Sequence, residues 1–238
     1  MTDWPAVACV CPTYGRFSLL KESLAFFLAQ DYPGEKRLMI LNEGPRRLRL
    51  GGRTPPEVLS LHSRASFPTL GHKRQFLLEA AEAPIVAHWD DDDIYLPEHL
   101  SRSVRFLLDE DLDCTKASRV WIMEGGRVTR RWSQGNDATM VFRHTPALLL
   151  GGYGRKQVGQ SITLLHAFQR AGRYRHLPPR VRTFVRRRLP KAHNAALSDA
   201  ETFRRLNTDL PSGEPLEPAD VSALMAAIRD DINTLEGR

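Results

Sequence analysis

Apolar positions along the chain fall into two rhythms. Short solid blocks, such as Val7-Ala8-Cys9-Val10-Cys11 and Leu38-Met39-Ile40-Leu41, read as strands buried on both faces. Between them, apolar residues recur at helical spacing, with Leu20, Leu24, Phe27 and Leu28 forming one face and Ser18 placed to cap it. Asp31-Tyr32-Pro33-Gly34 ends that helix, and Asn42-Glu43-Gly44 closes the second strand. Strand, helix and strand within about 40 residues make a βαβ unit. Residues 45–70 break the rhythm, with Arg46, Arg47, Arg49 and Arg53, Gly51-Gly52 and Pro55-Pro56; they read as a basic loop carrying a short helix around Val58 to His62. Gly71-His72-Lys73-Arg74-Gln75 opens a helix over Phe76, Leu77, Ala80 and Ala81. Pro97 starts another, with Leu100, Val104, Leu107 and Leu108 inward and a solvated acidic tail from Asp109 to Asp113. Runs at 119–123 and 127–132 flank Glu124-Gly125-Gly126, a hairpin pattern. A strand at Thr139–Phe142, helices over 146–150 and 160–171, and a last strand at Val181–Val185 complete the expected elements. A separate amphipathic helix (Val221, Leu224, Met225, Ile228, Ile232, Leu235) follows a linker with Pro211, Pro215 and Pro218.

One block carries chemistry. Ile85-Val86-Ala87-His88-Trp89 reads as a buried strand and runs straight into Asp90-Asp91-Asp92-Asp93. The four carboxylates therefore sit at the carboxyl end of a strand, the edge where open α/β sheets bind ligands. Adjacent acids repel one another, and a divalent cation relieves this, since carboxylate oxygens are preferred ligands of Mg²⁺ and Mn²⁺. The plainer alternative is a solvated acidic turn that caps the next helix. Lys73 and Arg74 at a helix start oppose the helix dipole, a conflict that a bound phosphate would relieve.

Length and composition narrow the rest. The 238 residues suit one domain with an extension, divided here as 1–195 and 196–238. Without a long apolar run or the basic and apolar regions of a signal peptide, and with only Cys9, Cys11 and Cys114 as core thiols, the expected location is cytoplasmic. The net charge of +6 comes mostly from arginine and favours an anionic partner. Basic segments at 46–53, 127–131, 155–156 and 173–188 would make a polyanion surface if the fold placed them on one face; uneven codon usage explains scattered arginine equally well.

Four of these segments, in order, resemble family-2 glycosyltransferases. Val10-Cys11-Pro12-Thr13-Tyr14-Gly15-Arg16 is similar to the family's opening strand and nucleotide loop, and Leu41-Asn42-Glu43-Gly44 stands where it has two acids and a Gly. Gly71 to Gln75 resembles its Gly-and-basic segment, and His88-Trp89-Asp90-Asp91-Asp92-Asp93 its Asp-x-Asp metal motif. The resemblance implies the GT-A fold, a Rossmann-like, mostly parallel sheet flanked by helices. It implies a nucleotide-sugar donor, expected to be a UDP-sugar, bound by Pro12, Thr13, Tyr14, Arg16, Asn42, Glu43, Asp90 and Asp91, with Lys73 and Arg74 steadying the phosphates. Mn²⁺ or Mg²⁺ would lie on Asp90 and Asp92, completed by His193 after the terminal Arg-rich strand.

The chain departs from the family at the catalytic base. Where inverting members carry Glu-Asp at the start of a late helix, this chain has Gln160-Ser161. Gln takes no proton and an unassisted Ser is a poor base, so the candidates beside Gln160 and Ser161 are Asp137 or another acid from a different loop, or an acceptor acidic enough to need little help. Two acceptor classes stay open: a glycan or its precursor, and a hydroxymethylated DNA base, which would have to be flipped out or single-stranded. A non-catalytic nucleotide-sugar or nucleic-acid binding module on the same fold is the alternative to an enzyme.

Overall fold

The computed structural model describes residues 3–43, 47–48, 54–124, 127–133 and 137–187, and positions 226, 229 and 230 near the C-terminus. Its first strand, β1 (Val7–Thr13), is buried throughout. The chain continues through α1 (Phe17–Leu28), β2 (Lys36–Asn42), β3 (Val58–His62), α2 (Leu70–Glu79) and β4 (Ile85–His88). After the acidic run come β5 (Ile94–Tyr95), α3 (His99–Asp109), β6 (Cys114–Ala117), β7 (Val120–Glu124) and β8 (Arg127–Ser133). A 3-10 turn (Asp137–Thr139), β9 (Val141–Arg143), α4 (His144–Leu149), α5 (Gln160–Arg170), β10 (Tyr174–Leu177) and β11 (Phe184–Arg187) follow.

Seven strands form one sheet in the order β10-β6-β9-β4-β1-β2-β3, parallel except for β9, which runs against both of its neighbours. A smaller sheet has the order β5-β11-β7-β8. Because successive side chains in a strand face opposite ways, β1 feeds two cores. Val7, Cys9 and Cys11 join Leu20, Phe27, Trp89 and Tyr95 on one side. Ala8 and Val10 join Leu77, Leu78, Phe142, Leu164 and Phe168 on the other. The three cysteines are buried and free, as expected. Pro12 is tolerated in this central strand because the β1–β4 pairing stops at Val10 and His88. The Val10 carbonyl faces β4, taking the Trp89 N–H at 3.1 Å. The missing donor of Pro12, two residues on, therefore points past the end of β4.

Several expected elements differ. The short helix expected at Val58–His62 is the edge strand β3, paired in parallel with β2. Ser18 lies inside α1, whose N-cap is Arg16, and the buried face is Leu19, Leu20, Ser23, Phe26 and Phe27, leaving Leu28 43% exposed. The helix after the acids begins at His99 rather than Pro97. β6 and β10 had no counterpart in the hydrophobic pattern, and the last strand lies three residues later than expected. The expected boundary near residue 195 and most of the C-terminal helix lie outside the described residues; positions 226, 229 and 230 are helical, with Arg229 3.8 Å from Glu98. Among the described residues, no helix is long and apolar enough to cross a membrane.

Candidate functional site

The carboxyl ends of β1, β2 and β4 converge on the acidic run. β4 ends at His88, and Trp89 docks its indole on Ser23, with Nε1 donating to the hydroxyl at 2.8 Å. After that anchor the four aspartates divide, Asp91 turning away from the other three. Asp91 faces inward with a fully buried side chain. It accepts from the Thr13 hydroxyl and from two nitrogens of Arg16, Nε at 3.1 Å and Nη2. Burial first, and then Asp92 and Asp90, outweigh Arg16 and push its carboxyl up to about 6. Asp91 thus works as a post for the first loop.

Asp90, Asp92 and Asp93 turn toward one another, and one ligand oxygen from each lies within 4.8 Å of the others. Asp90 accepts from Arg74 at 2.6 Å, Asp92 from Arg16 Nη1 at 2.6 Å, and Asp93 from the Arg187 backbone N–H at 2.9 Å. Each contact engages one of two carboxylate oxygens. Burial opposes charge on Asp90, but Arg74 outweighs it and holds the carboxyl below its usual range. Among the described residues no ion pair reaches Asp93, and burial with Asp92 and Asp90 beside it drives its carboxyl well up against the Arg187 N–H and the Arg186 charge. Three crowded carboxylates of this kind suit a hard divalent cation. Asp93 is the third acid of this cluster, legible as part of the same run but not as the member that joins Asp90 and Asp92; the expected ligand His193 lies outside the described residues.

The expected donor residues gather on this edge, several of them in other roles. Gly15, at φ 67°, makes a turn that places its N–H 3.1 Å from the Asn42 side-chain oxygen. Asn42 is fully buried and also meets the His62 ring at 3.3 Å, so it braces the loop. Pro12 is buried and Tyr14 half-buried beside it. Lys73 and Arg74 stand one residue further into α2 than expected, since the helix starts at Leu70 on an N-cap Thr69. Both are buried and already neutralised. Lys73 pairs with Glu43 at 3.0 Å and donates to the Thr13 carbonyl, while Arg74 pairs with Asp90. Burial lowers the Lys73 ammonium against the pull of Glu43. In this structure the charges of these two cations, expected to face phosphate, are paired with the Glu43 and Asp90 carboxylates.

Beside the acids, the fold brings together residues from three further elements. Asp137, in the 3-10 turn, receives Lys116 Nζ of β6 on Oδ1 at 2.9 Å and the Ser161 hydroxyl of α5 on Oδ2 at 3.0 Å. Gln160 precedes Ser161 at the buried start of α5, and its backbone carbonyl takes the Gly154 N–H. The buried His88 ring contacts the Asp137 carbonyl through Nδ1 at 2.6 Å and the Tyr153 hydroxyl through Nε2. Burial holds its pKa down to about 3. The neutral ring must donate at Nδ1, because a carbonyl only accepts; Nε2 then accepts from Tyr153. Lys116, on a strand without a sequence signal, and Tyr153 were not foreseen in this cluster.

The model of glycosyl transferase family 2 matches residues 8–177. The chain belongs to this family and is a glycosyltransferase. A search of curated proteins finds no match. Among solved structures, S. aureus TarS 1–349 in complex with UDP-GlcNAc superposes with a TM-score of 0.64 at 14% identity, covering 96% of this chain and 73% of that one. The mannosyltransferase PcManGT from Pyrobaculum calidifontis, in complex with GDP-Man and Mn²⁺, has a TM-score of 0.57 at 18% identity, covering 99% and 75%. Both likenesses show the fold, that of the GT-A glycosyltransferases, and the acidic turn of this family-2 chain lies at the strand ends where such a sheet binds its ligand.

Proposed function

We propose that this glycosyltransferase moves a sugar from a UDP-sugar to an acceptor hydroxyl, with Mn²⁺ or Mg²⁺ held by Asp90, Asp92 and Asp93. The observation that carries this reading is the carboxylate triad at the end of β4, beside the loops after β1 and β2. A cation bound there supplies electrostatic stabilisation to the departing diphosphate. Arg16 holds Asp92 and Asp91 from the donor side, and Arg74 keeps Asp90 ionised. The binding of UDP-GlcNAc by TarS favours a uridine donor, while the binding of GDP-Man by PcManGT supplies the contrasting test compound.

The acceptor we favour is a glycan or glycan precursor. A hydroxymethylated DNA base would call for a free basic face, and several of the arginines counted toward it are committed elsewhere. Arg173 pairs with Asp111 and Asp113, Arg175 with Glu110, and Arg187 with Glu22.

Calorimetry with UDP tests the reading. Binding should require Mn²⁺ in the unaltered protein and should be lost in Asp92→Asn, which keeps the shape of the side chain and removes its charge. Metal-independent binding of equal strength in both proteins refutes the metal site. Turnover of GDP-mannose in preference to every UDP-sugar tested refutes the uridine assignment.

A further inference from the structure

We propose that Asp137 is the general base of the transfer, displaced from the start of α5 onto the facing 3-10 turn, with Lys116 and Ser161 as its positioning residues. The inference rests on the donor reading above. Its starting point is that the first turn of α5 offers no proton acceptor of its own. Gln160 is an amide, and the Ser161 hydroxyl is donated to Asp137 at 3.0 Å. The hydroxyl of α5 thus points to a carboxylate that the chain supplies from 24 residues earlier.

The placement is specific. Tyr95 takes the Asp90 N–H at 2.7 Å on its hydroxyl and donates that hydroxyl to the Ala138 carbonyl at 3.2 Å. One side chain therefore ties the first acid of the metal triad to the residue after Asp137. His88 holds the Asp137 carbonyl from the end of β4, and the Thr139 hydroxyl takes the Ala117 N–H at 3.0 Å. The turn is pinned at three consecutive residues. Its carboxylate stays 19% exposed, while its partner Lys116 is only 5% exposed. A pair built only for stability has no need to leave its acid partly open to solvent while burying its cation. Lys116 pairs with the carboxylate on Oδ1, and Ser161 fixes its orientation through Oδ2. Each occupies one oxygen, and each oxygen keeps lone-pair capacity for an incoming hydroxyl. The other nearby titratable group, His88, is neutral with both nitrogens engaged and is no competitor.

The step balances without a further reagent. The acceptor O–H proton passes to an Asp137 oxygen as the acceptor oxygen bonds to the anomeric carbon. The bond from that carbon to the diphosphate breaks, and its electron pair leaves on the nucleoside diphosphate. One displacement inverts the anomeric configuration.

Hydrolysis of the donor, with water as acceptor, reads the base without knowledge of the natural acceptor. UDP-glucose, UDP-galactose, UDP-GlcNAc and GDP-mannose are supplied with Mn²⁺, and the one consumed fastest is used throughout. Asp137→Asn should lower kcat by about 10²- to 10⁴-fold with donor KM and Mn²⁺ affinity little changed. Since that change strands Lys116, a second variant, Asp137→Asn with Lys116→Met, removes the pair together and should lose kcat equally. Moving the carboxylate back onto the helix, Asp137→Ser with Ser161→Asp, should recover at least about tenfold over Asp137→Asn, because it crosses only the hydrogen bond between them. A structural role for Asp137 would move thermal stability and leave kcat. The proposal is overturned if either Asn variant keeps kcat near that of the parent, or if the relocated acid recovers nothing in a protein that melts normally. It is overturned as well if the parent binds donor with Mn²⁺ but turns none over, an outcome that leaves the donor site standing. Absence of any Mn²⁺-dependent donor binding by the parent instead removes the donor reading on which this one rests.

Discussion

Lys73 reaches from α2 to the end of β1, where its ammonium lies between the Glu43 carboxylate and the Thr13 carbonyl. At this scale the sequence shows charges but not their partners. Two cations in a row near a helix start point to an anion, and the fold supplies a carboxylate to each. The acids were easier to read, because four in a row at the end of an apolar block have few other uses. Which of them turns inward depended on Thr13 and Arg16, residues far away in sequence. The Lys73–Glu43 pair makes a testable distinction. Breaking a buried pair from one side strands the other charge, at a cost of about 3–5 kcal/mol, whereas removing both is far milder. Lys73→Met should therefore destabilise the fold by roughly 3 kcal/mol, less where Glu43 finds water. Lys73→Met with Glu43→Gln should recover most of it in chemical denaturation. Loss of UDP affinity in Lys73→Met beyond that in Glu43→Gln would support a phosphate contact by Lys73.

At the scale of elements, the strands that were legible are those buried on both faces. β1, β2 and β4 read as apolar blocks because helices cover both sides of them. β3 did not, because only Val58 is buried and Leu59 is 40% exposed, so its five residues look as much like a half-turned helix as an edge strand. β6 carries Cys, Thr, Lys and Ala, and its identity as a strand comes from pairing with β9 and β10. The path of the loop into α5 was also invisible, although a glycine in α2 records it. Gly71 donates its N–H to the Lys156 carbonyl at 3.1 Å, and a Cβ at Gly71 would sit 1.9 Å from the Gly154 carbonyl oxygen. Backbone cannot yield as a side chain can. Gly71→Ala should push the 154–156 loop away and cost about 1–3 kcal/mol in thermal or denaturant unfolding, as overpacking does. It should also lower turnover more than donor binding, because that loop leads into the helix that bears Ser161. An unchanged melting temperature in Gly71→Ala would mean the loop packs elsewhere.

On the scale of the whole molecule, the two sheets meet around the aromatic cluster behind the acids, and His99 lies at its centre. Its ring approaches Trp89, Tyr95 and Phe184, and Nδ1 faces the Thr183 hydroxyl at 3.0 Å. Nε2 is buried without a hydrogen-bond partner. No charge offsets the loss of water here, and burial alone holds the pKa down to about 3. In the unfolded chain the same ring titrates near its ordinary value of about 6.5. Between those values the unfolded state binds the extra proton, so stability rises with pH across the window and falls as pH drops through it. The contribution reaches about 1.4 kcal/mol per pH unit in the middle of that window. Asp91, with its carboxyl up at about 6, acts in the opposite sense, since the folded state there holds the proton more tightly. The net acid profile mixes the two, and a single substitution separates them. His99→Phe keeps a flat ring in the cluster and removes both the unpartnered nitrogen and the titration. Near pH 7.5 its stability should lie within about 1 kcal/mol of the parent, the worth of the Thr183 hydrogen bond. Below pH 6 the variant should become the more stable of the two, by a margin that grows toward pH 4. Parallel stability curves for the two proteins across that range, measured by urea unfolding, would show that His99 is charged or hydrated in the folded state, and that the seam between the sheets is open to water.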